Sequence, residues 1–355
     1  MKSICIVAEA GINHDGSEER AIELVDVAAD SGADYVKFQT FNVDSLITKS
    51  APKAEYQKRS AAHESQFELL SRVRLTEQSH KKIERYCRDI GIGFMSTAFD
   101  ELSLRFLVDE LDMTKLKLPS GELTNAPLLL SYARAQRVIY VSTGMADIAD
   151  VEDALGVLAF GLLGWNEPSK QNFGLAYRST EGQRILEEKI VLLHCTTQYP
   201  TPLSDVNLNS MLTLKERFGL AVGYSDHTEG IIVPIAAAAL GAQVIEKHFT
   251  LDRSLPGPDH QASLVPEELR SMVEKVRKVE KLLGDGVKLV QPSEKSNRVT
   301  ARKSIVAAQN IKKGERLSSV NLTTKRPGTG RSPMDYWALL DSVATKNYME
   351  DDLIL

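Results

Sequence analysis

The chain has 355 residues, 43% of them hydrophobic and 26% charged, with a formal net charge of −5. That is enough apolar material for one large core and a small extra domain. The acidic balance provides no global basic field to recruit nucleic acid, so an anionic substrate has to be held by local cations. Three cysteines, Cys5, Cys87 and Cys195, form no C-x-x-C pair, which argues against a disulfide framework or zinc knuckle and suits a reducing compartment. No apolar run approaches the about 20 residues of a membrane span, and the first residues enter a strand without the apolar h-region of a secretory signal. The expectation is a soluble cytoplasmic protein with neither a membrane nor a nucleic-acid partner.

Eight short apolar runs follow in order, each ending in a polar residue suited to chemistry: residues 4–11, 34–40, 93–99, 114–122, 138–144, 189–195, 220–227 and 243–250. Amphipathic helical stretches lie between them. Ser17 is placed to cap one that ends at Gly32, and Thr76 one that ends at Gly91. A proline stands near the start of the stretch after Asn125, where a missing N–H costs nothing, and the last and longest runs from Pro266 to Gly286. Strands alternating with helices require a parallel sheet. Eight of them favour closure into an α/β (β/α)8 barrel over an open Rossmann sheet, whose Gly-x-Gly-x-x-Gly is absent.

Two connections exceed ordinary barrel loops, residues 41–75 and 161–188; long ordered loops are usually lids or partner contacts, the alternative being a disordered surface insertion. The barrel domain is expected over residues 1–284, a linker over 285–300 and a small β-rich domain over 301–355. From Ala301 to Arg331 there are eight Lys or Arg and a single acid.

His227 and His248 end the seventh and eighth predicted strands, neighbours about 4.8 Å apart. Two imidazoles so placed can share one divalent metal, and with the remaining positions left to oxygen, Mn²⁺ or Mg²⁺ suits better than closed tetrahedral zinc. Lys37 and Lys117 stand inside apolar runs, where a lysine needs a partner or a pocket. In VKFQ, alternation puts Lys37 and Gln39 on one face. Glu9 and Glu246 are acids in otherwise apolar strands and should meet a lysine, a metal-bound water or a substrate hydroxyl; a purely structural Glu–Lys pair is the other reading. After the eighth strand, the rigid LPGPDHQAS turn aims Asp259 inward. Just past Ser120, amide groups and a helix N-terminus offer an anion seat.

The ordered motifs IVAEAGINHDG, ADYVKFQTF, APKAEY, KLPSGE, STGM, HCTTQYPTP, GYSDHTEG, EKHFTLDRSLPGPDHQAS and TTKRPGTGRSPM resemble those of the bacterial sialic acid synthases: N-acetylneuraminate synthase and its sister, N,N′-diacetyllegionaminate synthase. The likeness covers nearly the whole chain, and its C-terminal part resembles the antifreeze-like (SAF-type) module of that family. It implies metal-dependent condensation of phosphoenolpyruvate with an open-chain N-acyl hexosamine and water. The first reading is N-acetylmannosamine giving N-acetylneuraminate and phosphate; the alternative sugar is 2,4-diacetamido-2,4,6-trideoxymannose. Carried over by motif, His227 and His248 would hold Mn²⁺ or Mg²⁺, and Glu9 would act as acid/base or orient water. Lys37, Thr97, Lys117, Ser120 and Ser225 would bind phosphoenolpyruvate. Gln39, Tyr199, Glu246 and Asp259 would contact the sugar. Arg326 would reach the N-acyl group from the partner subunit, implying a domain-swapped homodimer. The sequence departs from relatives at Thr197 and Gln198, where sugar substituents are read, and at Arg331 and Trp337.

Two rivals differ in chemistry. Lys37, Lys117 or Lys247 could form a Schiff base as in a class I aldolase, although the paired histidines argue for a metal. The C-terminal module alone would suit a carbohydrate- or ice-binding protein, which leaves the polar strand ends unexplained.

Overall fold

The computed structural model describes residues 3–48 and 65–354. It divides into two compact units, Met1–Gly284 and Asp285–Leu355. In the first, eight parallel strands close into a barrel in sequence order: β1 (Cys5–Gly11), β2 (Tyr35–Thr40), β3 (Gly93–Ala98), β4 (Lys115–Leu118), β5 (Val138–Ser142), β6 (Ile190–Cys195), β7 (Ala221–Asp226) and β8 (Val244–His248).

The helices begin where side chains satisfy their first amides. Helix α1 (Glu18–Asp30) is capped by Ser17, whose hydroxyl accepts from Arg20 N. The next two, α2 (Val43–Leu46) and α3 (Gln66–Val73), lie within the long 41–75 connection; Asn42 caps one and a Ser65–Glu68 capping box the other. The described parts of that connection are therefore helical rather than a plain loop, while APKAEY lies outside the described residues. Thr76 caps α4 (Glu77–Ile90), and Gly91 ends it at φ 84°, a left-handed conformation glycine adopts without steric cost.

The 161–188 segment is not a loop either. Helix α5 (Glu101–Arg105) and α6 (Ala126–Arg134) precede α7 (Ile148–Leu162), which runs past Gly161; α8 (Lys170–Arg178) and α9 (Thr180–Lys189) then fill the interval to β6. Its apolar positions are spaced for a buried helical face, with Ala176 and Leu186 buried, so it is an extra helical layer and not a disordered insertion. Helices α10 (Asn209–Phe218), α11 (Ile232–Ala239) and α12 (Pro266–Leu283) complete the ring.

Alternation divides each strand. On β2, Val36 and Phe38 are fully buried in the main core, whereas Lys37 and Gln39 face the barrel interior. Register then sets the neighbours: Glu9 lies beside both Lys37 and His248, Thr97 beside both Gln39 and Lys117, and Ser225 beside Glu246.

In the second unit, residues 292–300, expected as linker, carry a 3₁₀ turn and nearly all of α13 (Lys295–Ala301). Beyond them β9 (Ser304–Ala307) pairs antiparallel with β10 (Leu322–Lys325). Ile305, Ile311, Leu317, Leu322 and Tyr348 form a small core of its own. Among the described residues no helix is long and apolar enough to cross a membrane.

Candidate active site

The C-terminal ends of the strands surround a cavity of about 400 Å³, the position of the reactive centre in this architecture. Twelve of the thirteen residues singled out in the sequence line it: Glu9, Lys37, Gln39, Thr97, Lys117 and Ser120 from the first half of the barrel, and Tyr199, Ser225, His227, Glu246, His248 and Asp259 from the second. The thirteenth, Arg326, follows β10 in the second unit and is exposed.

Two lysines and two glutamates form the floor. Lys37 Nζ lies 2.6 Å from Glu9 Oε2, 3.6 Å from Glu246 Oε2 and donates to Thr97 Oγ1 at 2.9 Å. Lys117 Nζ meets Glu246 Oε1 at 2.9 Å, and Ser225 Oγ donates to the same oxygen at 2.8 Å. Gln39 Nε2 reaches Glu9 Oε1 at 3.4 Å. All four charged side chains are at most 5% exposed.

The two carboxyls are driven apart. Burial pushes Glu9 up to about 7, only partly offset by Lys37 and reinforced by the Glu246 charge. Burial acts the same way on Glu246, but Lys117 and Lys37 together outweigh it and hold this acid well below the usual carboxylate range. One acid able to exchange a proton near neutrality therefore stands beside one that stays ionised, the pattern that separates acid–base roles. Lys37, penalised by burial, is raised by the two glutamates and stays cationic.

Across the cavity, His227 and His248 have ring centres 5.6 Å apart, and the Tyr199 ring lies 4.1 Å from His227 and 5.8 Å from His248. His227 Nδ1 faces the Thr196 carbonyl at 2.8 Å. A carbonyl can only accept, so Nδ1 carries the proton, and in the neutral ring Nε2 keeps its lone pair. His248 Nδ1 is buried without a hydrogen-bond partner, and burial keeps this imidazole neutral. Among the described residues no group of three or more His, Cys, Asp or Glu is arranged for a metal. The two imidazoles alone could serve only an open site completed by oxygen ligands, not a closed tetrahedral one. Asp259 lies on the same side, its carboxyl pushed by burial up to about 6.

The anion seat is narrower than the sequence suggests. Asn125 Oδ1 already takes the Leu128 amide at the start of α6, which leaves the Ser120 hydroxyl. It accepts from Gly144 N at 3.0 Å. A Cβ on Gly144 would stand 2.2 Å from Thr197 Oγ1 and 2.7 Å from Ser120 Oγ, so only glycine permits this approach. Thr197 Oγ1 and Ser142 Oγ line the same cavity, buried and without hydrogen-bond partners. Gln198, expected with Thr197 at the sugar substituents, is exposed instead. Cys195 Sγ lies 3.7 Å from both Ser120 Oγ and His227 Nδ1.

Ser142 and the apolar rim of Ile12, Phe41, Leu46, Ile47, Leu70 and Phe99 escaped the sequence reading. The only signal for the rim was the length of the 41–75 connection. Lys247, one of the lysines weighed for the rival Schiff base, does not reach the cavity. It is fully buried on the outer face of β8, with Nζ 2.6 Å from Asp226 Oδ2 and bonded to the Thr228 carbonyl, so it offers no amine to the cavity for a Schiff base.

The NeuB family pattern spans residues 24–288 and the SAF domain pattern residues 302–352. The chain belongs to the NeuB family. Over 355 residues, all of this chain and 99% of the relative, it is 46% identical to the N,N′-diacetyllegionaminic acid synthase of Campylobacter jejuni. It is 43% identical to the enzyme of that name from Legionella pneumophila, over 96% of this chain and 90% of that one. Among solved structures, the N-acetylneuraminic acid (sialic acid) synthetase of Leptospira borgpetersenii superposes with a TM-score of 0.69 at 29% identity, covering 83% of this chain and 90% of that one. This NeuB family member is an enzyme.

Proposed function

We propose that the protein condenses phosphoenolpyruvate with an open-chain N-acyl hexosamine and water, giving a nonulosonic acid and phosphate. The observation that carries this reading is the floor of the cavity, where two buried lysines share two carboxylates beside three hydroxyls and face a pair of imidazoles. Lys37 and Lys117, with Thr97, Ser120 and Ser225, suit the phosphate and carboxylate of phosphoenolpyruvate, lysine being a compact cation on a flexible stem. Gln39, Tyr199, Glu246 and Asp259 are left to the sugar. His227 and His248 would hold Mn²⁺ or Mg²⁺, which supplies Lewis-acid polarisation of the sugar aldehyde when bound.

In the reaction, C3 of the enol attacks the aldehyde carbon and a C–C bond forms while the aldehyde oxygen gains a proton. Water adds at C2, and the C2–O bond to phosphate breaks as the ketone forms. Glu9, poised near neutrality, is suited to give the first proton or to take one from the water. Lys37, kept cationic by the two glutamates, and Lys117 beside it are placed to hold the leaving phosphate. Arg326 would meet the N-acyl group from the second unit of a partner chain in a domain-swapped homodimer, a role resting on the family resemblance.

For the sugar, the reading moves from N-acetylmannosamine to 2,4-diacetamido-2,4,6-trideoxymannose, with N,N′-diacetyllegionaminate as product. The relatives at 46% and 43% identity both carry that activity in their names. The apolar rim favours it independently: a C6 methyl and a second acetyl group bury more apolar surface than a hydroxymethyl and a hydroxyl. The test is phosphate release from phosphoenolpyruvate with Mn²⁺, comparing the two sugars. Higher kcat/KM for the trideoxy sugar is expected. Preference for N-acetylmannosamine would restore the first reading, and no release with either would reject the reaction.

A further inference from the structure

The loop that presents Asp259 is fastened from beneath by the loop after β1. Asn13 is 1% exposed, and its Nδ2 donates to the Phe249 carbonyl at 2.8 Å and to Ser263 Oγ at 2.9 Å. Ser263 is fully buried and passes its own proton to the Asp259 carbonyl at 2.6 Å. One amide thus joins the exit of β8, one residue past His248, to the backbone of the acid that faces the cavity.

A second tie lies alongside. Asp15 Oδ2 is held by Arg20 Nη1 at 2.6 Å and faces His260 Nε2 at 3.3 Å, while His260 Nδ1 meets Thr250 Oγ1 at 2.7 Å. A Cβ on Gly257 would come within 2.6 Å of the His260 ring and 2.8 Å of Asp15 Oδ1. The loop backbone therefore lies flat on this pair, and the loop that carries Asp259 is pinned on both sides of it.

Asn13 is a poor choice for stability alone. Its Oδ1 is buried with no hydrogen-bond partner, and an orphaned buried acceptor costs free energy that an apolar side chain would avoid. Its two donated bonds both fix backbone or side-chain positions on the β8 loop. A side chain that is suboptimal for packing yet fixes a neighbouring polar group is the signature of a support for a functional residue.

We propose that Asn13 is a positioning residue that, through Ser263, fixes where Asp259 meets the sugar. This rests on the reading of Asp259 as a sugar contact. The test uses the full-length protein with Mn²⁺, and initial rates of phosphate release are measured while phosphoenolpyruvate and 2,4-diacetamido-2,4,6-trideoxymannose are varied in turn. Asn13→Ala and Ser263→Ala are each expected to raise the KM for the sugar about ten-fold while the KM for phosphoenolpyruvate stays within about two-fold. In the Asp259→Ala background, Asn13→Ala should add nothing further, because the group it positions is gone. An equal rise in both KM values, or a full-sized Asn13 effect without Asp259, would overturn the proposal. Ser263→Ala leaves the Asn13–Phe249 bond in place and carries the same test if Asn13→Ala does not fold. Failure of the unmutated protein to turn over either sugar would reject the functional reading and this proposal with it, whereas turnover with a non-selective Asn13 effect rejects the proposal alone.

Discussion

The two faces of β8 carry the same chemistry to different ends. Glu246 and His248 point inward and Lys247, between them, points outward, and both faces hold buried ion pairs. On the outer face, Lys247 and Asp226 satisfy each other at 2.6 Å, with Asp226 also accepting from the Thr228 amide and hydroxyl at 3.0 and 3.1 Å. Every partner is supplied by the fold. On the inner face, Glu246 is shared between Lys117 and Lys37, Glu9 is left near neutrality, and His248 Nδ1 has no hydrogen-bond partner. A buried charge therefore does not by itself mark a site; unfilled bonding capacity facing a cavity does.

That contrast breaks first, and most visibly, at the inner face. Lys117→Met should reduce kcat/KM for phosphoenolpyruvate by about 10³-fold or more, since a preorganised charge in a dry site supplies several kcal/mol, while Tm moves little. A steady-state assay beside thermal melting checks it, and near-normal turnover would remove Lys117 from the site. His248→Ala should lose a similar factor and no longer respond to Mn²⁺ after chelation. Residual activity that still tracks added metal would move the metal elsewhere.

The outer face should respond the other way. Lys247→Met leaves Asp226 buried without its cation and is expected to cost about 3–5 kcal/mol of stability, read by urea unfolding, with kcat of the folded fraction within a few-fold of normal. A collapse of kcat at unchanged stability would erase the distinction between the faces.

A smaller effect concerns His14, also on the outer side, where its ring lies 6.0 Å from Phe38. Burial lowers its pKa to about 3, and its Nδ1 accepts from the Gly16 amide at 3.0 Å. A folded pKa below the ordinary value near 6.5 means the stabilising contribution is complete above pH 6.5 and is lost as pH falls toward 3. His14→Asn should flatten that acid limb by a few kcal/mol, checked by unfolding free energy against pH; an unchanged limb would show that other groups govern it. The smallest change is expected at Arg326→Ala, about a ten-fold rise in the sugar KM with little effect on phosphoenolpyruvate. The reverse pattern would take this residue away from the sugar.

Much of this was legible in the chain itself. Period-two alternation in VKFQ separated Lys37 and Gln39 from Val36 and Phe38, and eight strand–helix alternations implied a closed barrel, because strand pleat and helix caps are local properties of the backbone. Lys247 shows where that logic stops: alternation already puts it on the face opposite Glu246 and His248, but only the closed sheet sets Asp226 beside it as a partner. The helical nature of residues 161–188 and the apolar rim around Leu46 and Leu70 were likewise invisible, since short amphipathic helices owe their stability to the surface they pack on.

The sequence alone thus determined the strands, the caps and which polar types would stand at the strand ends, all set by neighbours within a few residues. Tertiary structure decided which lysines share which carboxylates, which imidazole nitrogen stays bare and how Asn13 reaches Asp259 across nearly the whole barrel domain. Those relations depend on side chains brought within about 3 Å from positions far apart in the chain, and only closure of the barrel fixes such distances.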